Sequence, residues 1–351
     1  MALFGKRKAR VVGVDIGSSA VKVVELKRVG GGYQLAAFGM AEVPLGAIEG
    51  GEIREPGAVQ AAIGSALADS KTDATDAVIG VSGGSVIAKR VKLPKMSEAE
   101  LAESIRWEAE QYIPFDIDDV NLDFQIVGGG GPQIDVMLAA VKKGKVESYA
   151  EVAKAAGLNV VVVDADVFAL ETQYEHNYAG ETNEVVAVVN IGHENTNTNI
   201  LQGGVSVYAR DIFMGGARYA SSIAQRFNLP LPEADAVLRG KEGVVNWSQV
   251  GPVLELVSQE LGQEIQRTLD YFGTTAEHER LDRIFLSGGC ALIPGLRDFL
   301  SSQWGIDVSL ADPFRQVKIA APGVSPDEIQ RVAPLATVAT GLAMRSPDDR
   351  R

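Results

Sequence analysis

The chain is poor in residues that hold metals or form disulfides: its 351 residues include one cysteine and three histidines. A single cysteine, Cys290, excludes an internal disulfide, and we expect a protein of the reducing cytoplasm. The histidines, His176, His193 and His278, are too far apart in sequence for the ligand spacing of a structural zinc site. No apolar run reaches the roughly 20 residues that a transmembrane helix needs, so we expect no membrane-spanning segment.

Positive charge is also scarce, since 33 Lys and Arg face 46 Asp and Glu and the net charge is −13. Such a chain repels a phosphate backbone, and we expect no nucleic-acid partner. The strongest basic cluster lies within residues 1–10. We interpret it as a solvated terminus, with weak contact to an anionic membrane surface as the alternative, because it is too short for an amphipathic helix.

The composition, with 46% hydrophobic and 23% charged residues, is that of a folded globular protein. The length predicts two compact units or one two-lobed fold, because single cores rarely grow beyond about 250–300 residues. A repeated motif supports the second interpretation. Residues 12–19 form a predicted buried strand, Asp15, an apolar residue, Gly17 and a hydroxyl-bearing turn, and residues 187–196 repeat that order around Asn190 and Gly192. The repeat predicts two related lobes that face one another.

Three glycine-bearing turns that follow predicted buried strands form the candidate site. Glycine lets the backbone approach a ligand closely, and the N–H groups of such a turn form a concavity for anions. Lys22 lies on the strand after the first turn and would reach back as a phosphate counter-charge. The third turn, Ser287-Gly288-Gly289, precedes a predicted helical turn whose N–H groups suit a phosphate. Each motif alone also fits a tight structural turn, and their combination favours a nucleotide site.

Residues 82–157 are predicted to form an insertion with its own small core. Ser97-Glu-Ala-Glu100 matches a capping box that begins a helix, and strands over 121–127 and 133–141 precede a second helix over 143–156. The order strand, helix, hairpin, helix is an α+β unit and not the continuation of a doubly wound sheet. Further along, we expect a long amphipathic helix over 250–272 and one apolar helix over 332–344.

These motifs together resemble those of the actin-like ATPase superfamily, which includes sugar kinases, actin and the heat-shock chaperones. The phosphate-1 pattern is matched by residues 15–22, the phosphate-2 pattern by residues 190–196, and the adenosine pattern Ser-Gly-Gly-x-x-x-x-Pro-Gly by residues 287–295. The insertion lies where the cell-division protein FtsA carries its extra subdomain. The helix over 105–115 is similar to a signature of the PilM members of the FtsA/PilM family, and residues 345–351 lack the apolar face of an FtsA membrane helix, which favours PilM.

The resemblance implies an α/β, actin-like fold of two related lobes around a nucleotide cleft, with an FtsA-type α+β insertion. Its subdomains would be 1A (1–81, 158–182 and 332–351), 1C (82–157), 2A (183–228 and 278–331) and 2B (229–277). ATP and Mg²⁺ would lie between the lobes, with Asp15 and Asn190 toward the metal. The residues implied to bind the cofactor are Asp15, Gly17, Ser18, Ser19, Lys22, Gly192, Asn195, Thr196, Gly215, Gly216, Gly288 and Gly289.

The resemblance also implies partners. Members of the family dock the short cytoplasmic N-terminal peptide of the membrane protein PilN in a groove beside the extra subdomain. They thereby join PilO in the inner-membrane platform of the type IV pilus and communicate with the assembly motor ATPases. We therefore expect a cytoplasmic protein held at the inner membrane by a protein partner.

The sequence departs from the superfamily at Asn190, where an aspartate is usual. An amide brings no charge and cannot act as a base, so we expect weak Mg²⁺ binding and slow or no hydrolysis of ATP. The adenosine-side pattern Ala-Glu-x-x-Lys is also degraded, with Arg239 beside it. Two alternatives stay open: a phosphotransferase such as a sugar kinase, for which the insertion offers no obvious carboxylate base, and an FtsA-like cytoskeletal ATPase or membrane tether.

Overall fold

The computed structural model describes residues 10–178, 184–241, 245–275 and 280–346, so most of the basic N-terminal cluster lies outside the described residues. The strands of the described part are β1 (Val11–Ile16), β2 (Ala20–Val29), β3 (Gly32–Glu42), β4 (Ile48–Glu49), β5 (Glu52–Ile53), β6 (Asp76–Val81), β7 (Val86–Pro94), β8 (Val120–Gly130), β9 (Gln133–Lys142), β10 (Asn159–Ala165), β11 (Val185–Ile191), β12 (Thr196–Gln202), β13 (Val205–Ile212), β14 (Arg283–Ser287), β15 (Asp307–Leu310) and β16 (Val317–Ile319).

The helices are α1 (Pro56–Ser70), α2 (Glu98–Ala109), α3 (Lys143–Ala155), α4 (Asp166–Tyr178), α5 (Gly216–Phe227), α6 (Leu231–Leu238), α7 (Trp247–Thr275), α8 (Leu296–Trp304), α9 (Pro326–Val332) and α10 (Thr337–Met344). Short 3₁₀ turns cover Ile117–Asp119, Gly289–Leu292 and Ala333–Ala336. No helix within the described ranges is both long enough and apolar enough to cross a membrane.

Two large sheets repeat the same local topology. The first has the strand order β10-β6-β1-β2-β3-β16, and the second has the order β13-β12-β11-β14-β15. β1 pairs with β2 antiparallel and with β6 parallel, just as β11 pairs with β12 antiparallel and with β14 parallel. The sequence motif that occurs twice is therefore the tip of the same hairpin in each of the two lobes.

The lobes pack against each other through α4 and α10. Leu170 and Leu342 of these helices share one buried cluster with Val188 and Phe285 of the second sheet. The two helices meet backbone to backbone, because a Cβ on Gly341 would overlap the carbonyl of Ala169. The two helices lie between the two sheets, because their shared cluster takes Val78 from the first sheet and Val188 from the second.

The apolar stretch over 332–344 is not one helix, contrary to the sequence-based expectation. It is divided into the end of α9, the 3₁₀ turn over 333–336 and α10. Pro334 lies in that 3₁₀ turn and has no N–H to donate to a preceding carbonyl, which explains why a continuous α-helix does not form. α7 contains Pro252 as its sixth residue, past the first four N–H groups, so the helix continues there without the hydrogen bond to the Ser248 carbonyl.

The insertion folds around a three-stranded antiparallel sheet with the order β7-β9-β8. The predicted capping box is confirmed: the N–H of Glu100 donates to the Ser97 hydroxyl, and the Glu100 carboxylate accepts from the Ser97 N–H. α2 buries Leu101 and Ile105 in a core with Val136 and Leu138 of β9. α3 packs differently, because its buried side chains, among them Tyr149 and Val152, join the core of the first lobe.

Candidate functional site

The first predicted turn, at the end of β1, presents a lysine held by an aspartate. The N–H of Gly17 donates to the carbonyl of Ala20 at 3.1 Å, which closes the turn tightly. Nζ of Lys22 lies 3.0 Å from Oδ2 of Asp15, with both side chains mostly buried. A Cβ on Gly17 would lie 3.3 Å from that ammonium, so glycine leaves the space above it open. An ammonium has three donors, and the pair with Asp15 uses one of them.

The second turn, between β11 and β12, is built into the start of α5. The N–H of Gly192 donates to Asn195 at 2.9 Å, and the N–H of Gly216 donates to the Gly192 carbonyl at 3.0 Å. A Cβ on Gly215 would lie 2.8 Å from the His193 carbonyl oxygen, so this contact requires glycine. Thr196 is fully buried and donates its hydroxyl hydrogen to Met214 at 2.8 Å, which commits that hydrogen to the turn itself.

The third turn lies against the second through Asn190. The Asn190 amide donates from Nδ2 to Oδ1 of Asn197 at 3.0 Å and accepts at Oδ1 from the Ser287 hydroxyl at 3.3 Å. Gly288 has a φ of +84°, and a Cβ there would lie 2.8 Å from Oδ1 of Asn190. The N–H of Gly288 donates to Pro334 at 2.8 Å, at the break before α10. Gly289, the next residue, has open space around its Cα.

Contacts between the lobes bring the first turn opposite the other two. Gly51, between β4 and β5, donates its N–H to Oε2 of Glu194 in the second turn at 3.2 Å. Gly83, after β6, donates to Oδ2 of Asp211 at the end of β13 at 2.8 Å. Burial raises the pKa of the Cys290 thiol, in the third turn, to about 12. The positive charge of Lys22, from the first turn, lowers the same pKa, so the two turns interact electrostatically. Asp15, Gly17 and Lys22 thus lie on the first-lobe side of these contacts, and the turns at Gly192 and Gly288 lie on the second-lobe side.

Another contact between the lobes closes the outer end of this region. Arg239 donates from Nε to Oδ2 of Asp235 at 2.8 Å and lies 3.3 Å from Oε1 of Glu42, which belongs to the first lobe. Asp235 in turn lies 3.7 Å from Nδ1 of His193. Burial lowers the pKa of His193, more than the Asp235 charge raises it, so the imidazole is neutral at pH 7. Arg239 is therefore paired on both sides of the cleft.

The sequence interpretation missed two buried charged residues, Asp166 and Lys145, and one half-buried one, Asp211. Asp166 begins α4, and its pKa is raised to about 7, mainly by burial and then by the charge of Asp15. Burial also raises the pKa of Asp211, which accepts hydrogen bonds from Asn197 and Gly83. Burial lowers the pKa of Lys145, although several carboxylates oppose this, and its ammonium donates to the Gly51 carbonyl. Perturbed acids that gather in a cleft are typical of functional sites.

A signal for Asp166 was present in the sequence, because it lies three residues after the run of valines over 160–163, where a predicted strand gives way to a helix. Asp211 gave none, since it lies within the alternating pattern of an ordinary strand. Lys145 gave none either: its burial depends on how α3 packs against the loop at Gly51, which only the tertiary structure shows.

The cleft suits a magnesium nucleotide on some counts and not on others. Asp15 is the acidic group at the first turn, and an Mg²⁺ ion commonly takes one or two carboxylates together with phosphates and water. Within the described residues no three carboxylate, imidazole or thiol groups come together as a metal site. Asn190 is engaged at both ends of its amide, so its position serves the packing of two turns better than it serves a cation.

A separate groove of about 440 Å³ lies between the insertion and the first lobe. Its walls are the β8 edge, the adjoining face of β9, and parts of α3, β10 and α4. The apolar side chains that face it include Val127, Met137, Ala139 and Phe168. Leu122 and Phe124 meet the groove at the β8 edge, and their side chains pack in the core of the insertion. At its margin, Nε of Arg345 lies 2.7 Å from Oδ2 of Asp164, with both side chains nearly buried. The groove therefore has apolar walls, with Asp123 and Glu171 among its other lining residues and one charged pair at its margin.

Two lobes of repeated topology that present glycine turns to a common cleft define an actin-like ATPase fold. Within this class, the chain belongs to the family of type IV pilus assembly protein PilM, whose model matches residues 13–347. The chain is similar to a solved PilM-PilN type IV pilus biogenesis complex, with 30% identity and a TM-score of 0.87 over 97% of this chain and 100% of that chain.

More distant structures share the fold alone. The ethanolamine utilization protein EutJ from Carboxydothermus hydrogenoformans has 16% identity and a TM-score of 0.55 over 95% of this chain and 88% of that chain. MreB5 of Spiroplasma citri bound to ADP has 13% identity and a TM-score of 0.52 over 95% of this chain and 94% of that chain.

Proposed function

We propose that this protein is an ATP-binding scaffold of the type IV pilus platform at the inner membrane. It docks the cytoplasmic N-terminal peptide of a PilN-type membrane protein and hydrolyses ATP slowly or not at all. The observation that carries the proposal is the apolar groove beside the insertion, in a chain similar over its whole length to a PilM-PilN complex. Neither a sugar kinase nor a cytoskeletal ATPase gains support from these contacts.

The groove suits a short extended peptide with apolar side chains. β8 is the outer strand of its sheet, so its free edge offers backbone groups to an added strand. Val127 of that strand and Met137 of β9, with Phe168 of α4, provide apolar contacts for the side chains of the peptide. A peptide seated there would hold the protein at the membrane through its partner and bring it close to PilO and the assembly motor ATPases.

The cleft suits the triphosphate of ATP. Lys22 and the turn at Ser18 and Ser19 would hold the β- and γ-phosphates from the first lobe, and Gly192 with Asn195 from the second. Gly288 and Gly289 would support the adenosine end, where the glycine backbone allows close approach. Mg²⁺, when bound beside Asp15, neutralises phosphate charge.

Slow turnover follows from the absence of a suitably placed base among the described residues. Asn190 has no carboxylate, and its amide is occupied by Asn197 and Ser287. Asp166 is the obvious candidate, but a Cβ on Gly80 would overlap its Oδ1, so that oxygen is turned into β6. A general base must lie within hydrogen-bond reach of the attacking water. Oδ1 of Asp166 is directed into β6 and away from the cleft, so it is not placed to accept a proton from an attacking water.

Calorimetry with a PilN N-terminal peptide tests the docking proposal directly. Val127→Glu places a charge in the groove, whereas Ile126→Glu places it on the neighbouring, more exposed residue that does not line the groove. We expect the first variant to lose peptide binding and the second to keep it. Failure of the wild-type chain to bind, or equal binding by both variants, would refute the groove.

A phosphate-release assay with ATP-affinity measurements tests the nucleotide part independently. We expect measurable ATP binding with turnover far below the about 10 s⁻¹ that is typical of enzymes. Rapid turnover that Asp15→Ala abolishes would contradict the slow-turnover proposal, and a flat calorimetric trace would contradict nucleotide binding itself.

A further inference from the structure

A second cavity, of about 900 Å³, lies between the insertion and the second lobe. It is lined by every residue over 86–90 in β7 and by every residue over 207–211 in β13. Successive residues of a strand point to opposite faces, so a cavity that meets all of them meets the edge of the strand rather than one face. β7 and β13 are the outermost strands of their sheets. These two strand edges therefore border the same space. They converge where Val86 and Ala88 of β7 and Ala209 of β13 pack against one apolar cluster, so an added strand would lie toward Lys89 and Lys92.

The charge around this cavity contrasts with the rest of the chain. The net charge of the protein is −13, yet Lys89, Lys92 and Arg210 are all exposed and line the cavity. Its acids are engaged or buried: Asp135 pairs with Arg90 at 2.8 Å, and Asp211 accepts from Gly83 and Asn197. The open rim is therefore cationic.

Aromatic side chains complete the lining. Phe213 is 70% exposed, and Tyr271 is 53% exposed on the long helix α7. Tyr112 lies beneath Lys89, whose Nζ is 5.4 Å from the ring centre. Large exposed aromatic residues beside a cavity are typical of the anchors of protein interfaces.

We propose that this cavity is a second docking site, which receives an extended acidic segment of a partner protein. The segment adds as a strand to the edge of β7 or β13, its carboxylates meet Lys89, Lys92 and Arg210, and an aromatic or large aliphatic side chain packs on Phe213 and Tyr271. The three exposed cations favour an acidic occupant. The site is distinct from the groove at β8, which lies at the opposite edge of the same sheet.

Fluorescence anisotropy with the full chain tests this site. The probe is a labelled peptide of alternating glutamate and valine with one central phenylalanine, and its counterpart carries lysine in place of glutamate. We expect the acidic probe to bind at low salt and the lysine probe to bind at least about tenfold more weakly. Lys89→Glu combined with Lys92→Glu should weaken the acidic probe by about tenfold or more. The same probe with alternate amides N-methylated should also bind less tightly, because an added strand needs its N–H groups.

The matched control is Lys154→Glu combined with Lys318→Glu, which makes the same change in net charge at exposed positions outside the cavity. It should bind the acidic probe as the wild type does, and thermal melting of both double variants verifies that they are folded. Absence of binding to the wild-type chain, equal loss in both double variants, or equal affinity for the two probes would each overturn the proposal. A PilN peptide that binds both double variants normally would show that the two docking sites are separate.

Discussion

The ammonium of Lys22 lies 3.0 Å from Oδ2 of Asp15, its partner across the first hairpin. The same two positions of the second hairpin hold Asn197 and Asn190, whose side-chain amides join at 3.0 Å. One wall of the cleft thus carries an ion pair where the other carries a neutral pair. A triphosphate between these walls meets one cation and only one nearby hairpin carboxylate, which suits binding better than it suits hydrolysis.

Lys22→Ala should weaken ATP binding by about tenfold or more. A hydrogen bond to a charged group contributes about 1.5–3 kcal/mol, and about 1.4 kcal/mol corresponds to a tenfold change in affinity. Calorimetric titration with Mg²⁺ and ATP measures the change. Lys27→Ala, on the exposed end of the same strand, is the matched control and should bind as the wild type does. Equal affinity of the Lys22 variant and the wild type would remove Lys22 from the site.

Asn190→Asp should destabilise the protein without nucleotide by about 1–3 kcal/mol, the cost of leaving a buried polar group unsatisfied. The new carboxylate would face Oδ1 of Asn197, which now accepts from Asn190. A rotation of the Asn197 amide would not relieve this repulsion. Nδ2 of Asn197 now donates to Asp211, and after the rotation Oδ1 of Asn197 would face that carboxylate instead. Urea unfolding measures the loss. Asn195→Asp adds the same charge in the neighbouring turn and should cost less; a larger cost there would contradict the role of the Asn190 amide.

Gly288→Ala should lower the free energy of unfolding by at least about 2 kcal/mol, because a side chain disfavours positive φ and the backbone must also shift. Its φ is +84°, and its Cβ would overlap the Ile191 carbonyl. Gly289→Ala is the control, since a Cβ at that position meets no atom within 4 Å. Thermal unfolding of the two variants compares a turn that requires glycine with one that tolerates alanine. Similar melting temperatures would show that the third turn adapts more readily than its packing indicates.

How much of the site the sequence revealed depends on the kind of residue. The glycine turns were predictable because tight turns at strand ends leave a local pattern, and the two copies of that pattern reinforced each other. Asp166, Asp211 and Lys145 were missed because their perturbed pKa values come from burial between lobes that are distant in sequence. A local sequence pattern does not indicate that burial, because it depends on the tertiary structure.

The fold shows the same division. The hairpin of the insertion and the helix after Ser97 follow from period and capping, and the structure has both. The apolar pattern over 332–344 predicts one helix, but Pro334 lies within it and divides the stretch. A proline without an N–H therefore outweighs a continuous apolar pattern. The packing of α3 onto the first lobe was not predictable either, since its amphipathic pattern fits either neighbouring core.

Glu194→Ala should loosen the contact between the lobes. The Glu194 carboxylate accepts from the N–H groups of Gly51 and Gly50, and the Gly51 carbonyl accepts from Lys145 and from Tyr149 at 3.0 Å. Without the carboxylate these amides lose their acceptor, so we expect faster hydrogen exchange over residues 46–53. Glu194→Gln keeps an acceptor oxygen and should exchange nearly as the wild type does. Equal acceleration in both variants would show that the charge, and not the hydrogen bond, holds the loop.

Asp166→Asn should change how stability depends on pH. The pKa of Asp166 is about 7 in the folded protein, against 3.8 as the ordinary value, because of burial first and the Asp15 charge second. Between these two values the native state keeps a proton that the unfolded chain releases, so its stability falls as the pH rises, and the penalty is complete above about pH 7. Asp211 adds to this repulsion, and Lys145 opposes it.

The asparagine variant carries no titrating group at this position, so its stability relative to the wild type should rise from about pH 4 to about pH 7 and stay constant above that. Urea unfolding at several pH values over that range measures the difference. Asp123→Asn, at an exposed position on β8, is the control, and its difference from the wild type should stay constant. A constant difference for Asp166→Asn as well would mean that Asp166 is ionised throughout. The buried carboxyl would then have to be stabilised by Lys145 and Ser82 more strongly than their contacts indicate.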